Sequence, residues 1–151
     1  CSGEGGAAIS RRDYGETIAH LVAPTRYPYQ FAANYAKWQG AKFQDAPWDA
    51  HTIIALVAPR PLLICNTDKD SIFPLDGVVR LHEKVRKIYD LHGPGTNLGL
   101  LITEGPHKDT PELQTPVFRW FNHHLTGVDS PIEMAAVKMF KPEELKVFDK
   151  L

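Results

Sequence analysis

The chain has 151 residues, of which 43% are hydrophobic and 23% charged, a composition that fits one folded domain or part of one. With 17 Lys and Arg against 18 Asp and Glu, the net charge of -1 offers no basic field of the kind that nucleic acid or an anionic membrane surface requires. No apolar run approaches the roughly 20 residues of a membrane span, and the N-terminus lacks a basic-then-apolar leader pattern, so nucleic acid and membrane are excluded as expected partners and a small or carbohydrate ligand fits better.

The chain opens on Cys1 and the glycine-rich stretch CSGEGGAA, with no element before it, which reads as a piece of something longer. Ser10 is placed to cap a helix over residues 11–21, with Tyr14, Ile18 and Leu21 on one face. Pro24 and Pro28 end it, and residues 31–38 repeat apolar side chains at helical spacing. After a loop over residues 39–48, Asp49 caps a further helix that Pro59 stops. Residues 61–65 form a continuous apolar run too short for a helix and bounded by turn residues, which predicts a strand buried on both faces, as in a parallel sheet. An amphipathic helix follows from residue 76 to 91, with Val79, Leu81, Val85, Ile88 and Leu91 on its apolar side. Residues 98–103 predict a second buried strand, and Thr110 with Pro111 starts a helix that runs to residue 125. In the tail, GVDSP is a break, residues 134–140 read as extended, and KPEELKVFDKL as a capped helix. Cys65, inside an apolar run, is expected to keep a free thiol rather than pair with Cys1.

Strand, helix, strand, helix over residues 60–125 is a βαβα unit, which forces parallel pairing, and in open α/β sheets ligands sit at the carboxyl ends of the strands. Asp70 and His107 each fall just past a strand's carboxyl end, so their loops should meet. A carboxylate and a histidine so placed are the acid and base of a nucleophilic triad: the acid holds the imidazole tautomer, and the imidazole deprotonates a hydroxyl. No Gly-x-Ser-x-Gly elbow occurs in the chain. Ser2 is the nearest serine to such a turn, but Glu4 stands two residues on, where the elbow needs glycine.

The blocks SGEGGAAISRRDYGET, APWDAHTIIALVAPRPLL and ITEGPHKD, with a strand and an acid between the last two, resemble the second half of glucuronoyl esterases and related acetylxylan-esterase-like α/β hydrolases, over residues 1–125. The resemblance implies the C-terminal part of an α/β-hydrolase fold, with cap-like helices over residues 10–58 and the nucleophile-bearing half of the same domain upstream of Cys1. Residues 127–151 then form a linker or extra element. It further implies that His107 is the catalytic base, Asp70 the triad acid and Glu16 a ligand of sugar hydroxyls, with no cofactor or metal, and a secreted or periplasmic location. Some members use a glutamate directly before the SGxGG turn as the acid; Cys1 stands there in this chain, which adds weight to Asp70. Members also carry a tryptophan within two residues after the acid, against the uronate, whereas this chain reads Asp70, Ser71, Ile72. The expected substrate therefore shifts from a glucuronoyl ester towards an acetyl or other acyl ester of a plant polysaccharide.

Several residues carry a blander reading beside a sharp one. Asp68 competes with Asp70 as the acid, or simply caps turn amides. Glu16 also suits an ion pair with Arg11 or Arg12. Asp49 and His51 read as capping and supporting structure. His82-Glu83 suggests a zinc helix, but Arg86 occupies the place of the second ligand, and His123 and His124 start on different helix faces. The aromatics Tyr27, Tyr29, Phe31, Tyr35 and Trp38 read as a packed cap before a sugar platform. Two other functions compete: a prolyl-oligopeptidase-type peptidase, which ends in the same acid and histidine order, and a non-catalytic carbohydrate-binding relative.

Overall fold

The computed structural model of the chain describes residues 50–71, 73–93, 97–132 and 140–148; the helices predicted at residues 11–21 and 31–38, the aromatic cluster, Glu16 and Asp49 lie outside the described residues. The first described element is the short helix α1, Ala50–Ala55, which Leu56, Val57 and Ala58 extend as tight turns, their amides bonding carbonyls three residues back at 3.2, 3.1 and 3.1 Å. Pro59 has no amide with which to continue. Strand β1, Leu62–Thr67, outruns the apolar stretch by two polar residues. Both are tolerated because their side chains are bonded: Asn66 Nδ2 donates to the carbonyls of Thr67 and Phe73, each at 3.0 Å, and Thr67 Oγ1 to that of Pro106 at 2.8 Å.

Helix α2, Leu75–Asp90, carries the chain from β1 to the start of β2, Leu98–Thr103, and the two strands pair in parallel from Leu62 with Leu98 to Thr67 with Thr103. Parallel neighbours cannot be joined by a tight hairpin, so the connecting helix is part of the pairing. Helix α3, Pro111–Thr126, starts with proline at its first position and ends at Gly127, whose φ of 72° gives the left-handed cap and whose amide bonds the His123 carbonyl. The arrangement is α/β, with side chains alternating between two helical layers. Ile64, Leu62, Leu98, Leu100 and Ile102 join the core formed with Val78, Leu81, Val85 and Tyr89 of α2. Gly99 faces the other layer, where an added Cβ would meet Leu63 and Trp120 of α3.

Three expectations need correction. The buried stripe of α2 runs through Val78, Leu81, His82, Val85 and Tyr89, whereas Val79 and Ile88 are exposed and Leu91 is 80% exposed. Leu81 and Val85 lie three and seven residues on from Val78, one helical face, and Val79 is turned about 100° from it. The strands have a helix on each face but are only partly buried. Every residue of β2 and half of β1 is partly exposed, because β1 has no second neighbour among the described residues and an open groove of about 560 Å³ lies along it, lined by Leu63, Cys65, Leu113, Val117 and Phe121. In the tail, the predicted helix is one 3-10 turn, Pro142–Leu145, held by the Lys141 amide on the Glu144 carboxylate at 2.8 Å. Leu145, Val147 and Phe148 stay exposed, so no burial rewards continuing the helix.

Candidate active site

The ladder does not stop where the strands end. Past the Thr67–Thr103 pair, the Asp68 amide donates to the Thr103 carbonyl at 2.9 Å and the Lys69 amide to the Gly105 carbonyl at 3.0 Å. Pairing thus carries the two loops forward side by side, and Asp70 and His107 emerge from it in contact: His107 Nδ1 lies 2.8 Å from Asp70 Oδ2. The Asp70 side chain is fully buried, and that of His107 is 35% exposed. A carboxylate out of water must have its oxygens bonded. Oδ2 meets the imidazole, and Oδ1 accepts the Phe73 amide at 2.8 Å, across a turn whose Phe73 carbonyl is held by Asn66.

An ionised carboxylate only accepts hydrogen bonds, so in the neutral ring that pairs with one, Nδ1 carries the hydrogen and the lone pair is on Nε2. No partner for Nε2 occurs among the described residues. The Phe73 ring stacks on the imidazole, with centroids 5.6 Å apart and planes 30° apart, and limits its rotation. An imidazole held by a carboxylate at one nitrogen, with the other facing no partner among the described residues, has the geometry that general-base chemistry requires.

Asp68, the rival acid, does not touch the imidazole; its Oδ1 accepts the Gly105 amide at 2.8 Å. Phe73, Asn66 and Thr67 did not figure among the sequence candidates, though Asn66 and Thr67 are marked in the sequence as polar residues closing an apolar strand. His82 is buried in α2 with Nδ1 3.6 Å from the exposed Glu83, and the rings of His123 and His124 meet edge-on at 4.7 Å although their positions start on different helix faces. His51 lies in α1. Among the described residues no group of three or more His, Cys, Asp and Glu is placed to hold a metal. Cys65 carries a free thiol, and burial, with Asp109 adding to it, pushes that thiol above its ordinary value, so it is a poor nucleophile.

A family model described as glucuronyl esterase, fungi, matches residues 1–93, a stretch that contains Asp70 and Glu16 and stops short of His107. The carbohydrate esterase MZ0003, from an unknown prokaryotic organism, is 30% identical over 142 residues, covering 84% of this chain and 32% of that protein. The chain thus spans about a third of the length of this curated relative.

Proposed function

The chain belongs to the family described as fungal glucuronyl esterases, and from that premise we propose that it forms the acid and base half of a serine carbohydrate esterase of α/β-hydrolase topology, acting on an acylated plant polysaccharide. The observation that carries the proposal is the 2.8 Å contact between the buried Asp70 carboxylate and His107, which leaves Nε2 as the base. In this mechanism Nε2 takes the proton of a serine hydroxyl outside the described residues as that oxygen attacks the ester carbonyl. The Asp70 carboxylate stabilises the imidazolium that forms, and His107 returns the proton to the leaving sugar hydroxyl. Water then attacks the acyl-enzyme with the same base, releasing the acid and restoring the serine.

The family description favours a glucuronoyl ester. Ser71 and Ile72, standing where the resemblance expects a tryptophan against the uronate, favour a smaller acyl group, and acetyl is the one proposed. Glu16 is proposed as a ligand of the sugar hydroxyls. The test compares the full-length protein on acetylated xylan, on an alkyl glucuronoyl ester and on a proline-containing peptide. Acetate release that is lost on His107→Ala is the expected outcome. Preferential peptide cleavage, or full turnover by His107→Ala, overturns the proposal.

A further inference from the structure

We infer that Thr67 and Asp68 are positioning residues for the base: together they clasp the loop bearing His107 and so set the imidazole against Asp70. The inference rests on the proposed role of His107 for its catalytic consequence, but not for its geometry. His107 sits in an exposed loop, yet its ring must be held to a fraction of an ångström if Nε2 is to meet one hydroxyl oxygen. The backbone of that loop offers few hydrogen bonds of its own. Gly105, at φ 140°, adopts a conformation that L side chains rarely take, and the Pro106 nitrogen carries no hydrogen to donate.

What holds the loop comes from the other strand. The Thr67 side chain, with no exposure at all, donates through Oγ1 to the Pro106 carbonyl at 2.8 Å, one residue before the histidine. Asp68 Oδ1 accepts the Gly105 amide at 2.8 Å, two residues before it. The Lys69 amide takes the Gly105 carbonyl between them, and its ammonium adds an exposed ion pair to Glu104 at 2.6 Å. Asp68 and Lys69 bond the amide and the carbonyl of Gly105, and Thr67 bonds the carbonyl of Pro106. Residues 67 to 70 therefore each bond the loop, Thr67 at Pro106, Asp68 and Lys69 at Gly105, and Asp70 at His107 itself. Loss of Thr67 Oγ1 or of the Asp68 carboxylate frees the peptides that carry the histidine while leaving both members of the pair present. Misplacement by about 1 Å suffices to cost on the order of 100-fold in rate.

The experiment uses the full-length protein with Thr67→Val, Thr67→Ser, Asp68→Ala, Asp68→Asn and, as control, His107→Ala. Two quantities are read: the proton NMR resonance of the imidazole Nδ1–H bonded to Asp70, assigned by its loss in His107→Ala, and kcat and KM for acetate release. Asp68→Ala is an exposed change and serves if the buried Thr67→Val fails to fold. The expected result is a shifted or broadened resonance in Thr67→Val and Asp68→Ala, with kcat lowered about 10-fold or more and KM little changed. Thr67→Ser and Asp68→Asn, each retaining an oxygen that makes the same bond, restore both. An unaltered resonance in both disruptive variants overturns the inference whether or not His107 proves catalytic. Failure of the esterase proposal appears separately, as His107→Ala retaining turnover, and leaves the resonance to decide the clasp.

Discussion

Gly99→Ala tests whether β2 and α3 are as closely packed as the geometry requires. The added Cβ would stand 2.8 Å from Leu63 Cδ1, 3.0 Å from Trp120 Cζ3 and 3.3 Å from Trp120 Cη2, all inside the roughly 3.5–4.0 Å at which carbons rest. The leucine methyl can turn towards the groove that Leu63 lines, whereas the indole is backed by the His124 ring at 4.2 Å. Overpacking of this kind costs about 1–3 kcal/mol, and replacing a strand glycine by alanine returns about 0.5–1 kcal/mol of backbone entropy, leaving a net loss of about 0.5–2 kcal/mol. Urea unfolding followed by tryptophan fluorescence of the full-length protein measures it. In a Leu63→Ala background the shortest clash is gone while the indole remains, so the penalty of Gly99→Ala should fall by roughly half, a coupling of about 0.3–1 kcal/mol. A Gly99→Ala protein as stable as its parent, with no coupling to Leu63→Ala, would refute the packing argument.

The remaining predictions concern the supports of the site and the surface. Asn66→Ala removes the side-chain hydrogen bond to the Phe73 carbonyl and should lower stability by about 0.5–1.5 kcal/mol in the same unfolding assay, with kcat reduced because the turn bonding Asp70 is loosened; a neutral effect would mean that the turn holds without it. The Asp76 carboxyl is held below its ordinary value chiefly by the hydrogen bond from Arg80, so its folded value lies below the unfolded one. The stability it contributes is present above the unfolded value near pH 4 and is lost as pH falls through the folded one. The pair is exposed, so Asp76→Asn should lower stability only slightly, only above about pH 4, and less in 1 M salt, as a pH series of unfolding midpoints will show. Cys65 should react with a thiol-specific disulfide reagent at pH 7 far more slowly than free cysteine, since burial holds it protonated.

The parts of the fold legible in the sequence are those decided locally. Leu98–Thr103 and the start of α3 at Pro111 fall where apolar run length and proline placement put them. The Asp70–His107 contact was legible for a topological reason: parallel strands point their carboxyl ends the same way, and each residue lies just past one. What pattern alone could not supply is decided by partners distant in sequence. Which residues of α2 are buried depends on the sheet beneath, and Val79 and Ile88 lose to Val78 and Tyr89 although all four are apolar or aromatic. The tail sequence has a helix-like pattern, yet Val147 and Phe148 find nothing to pack against among the described residues. Asp68 and Asp70 look alike in sequence; they separate only through the neighbours they meet, Gly105 for one and His107 with Phe73 for the other.

The central claim is that Asp70 fixes His107 as a base, and Asp70→Asn tests it most directly. The amide keeps the shape and still accepts the Phe73 amide, but its NH2 group facing the imidazole donates, which forces the ring hydrogen onto Nε2 and removes the lone pair that the proposed mechanism needs to take a serine proton. Steady-state hydrolysis of an acetylated xylan by the full-length protein should then show kcat lower by on the order of 10³–10⁴-fold, with KM and folded stability nearly unchanged. Turnover by Asp70→Asn equal to that of the parent protein would contradict the account.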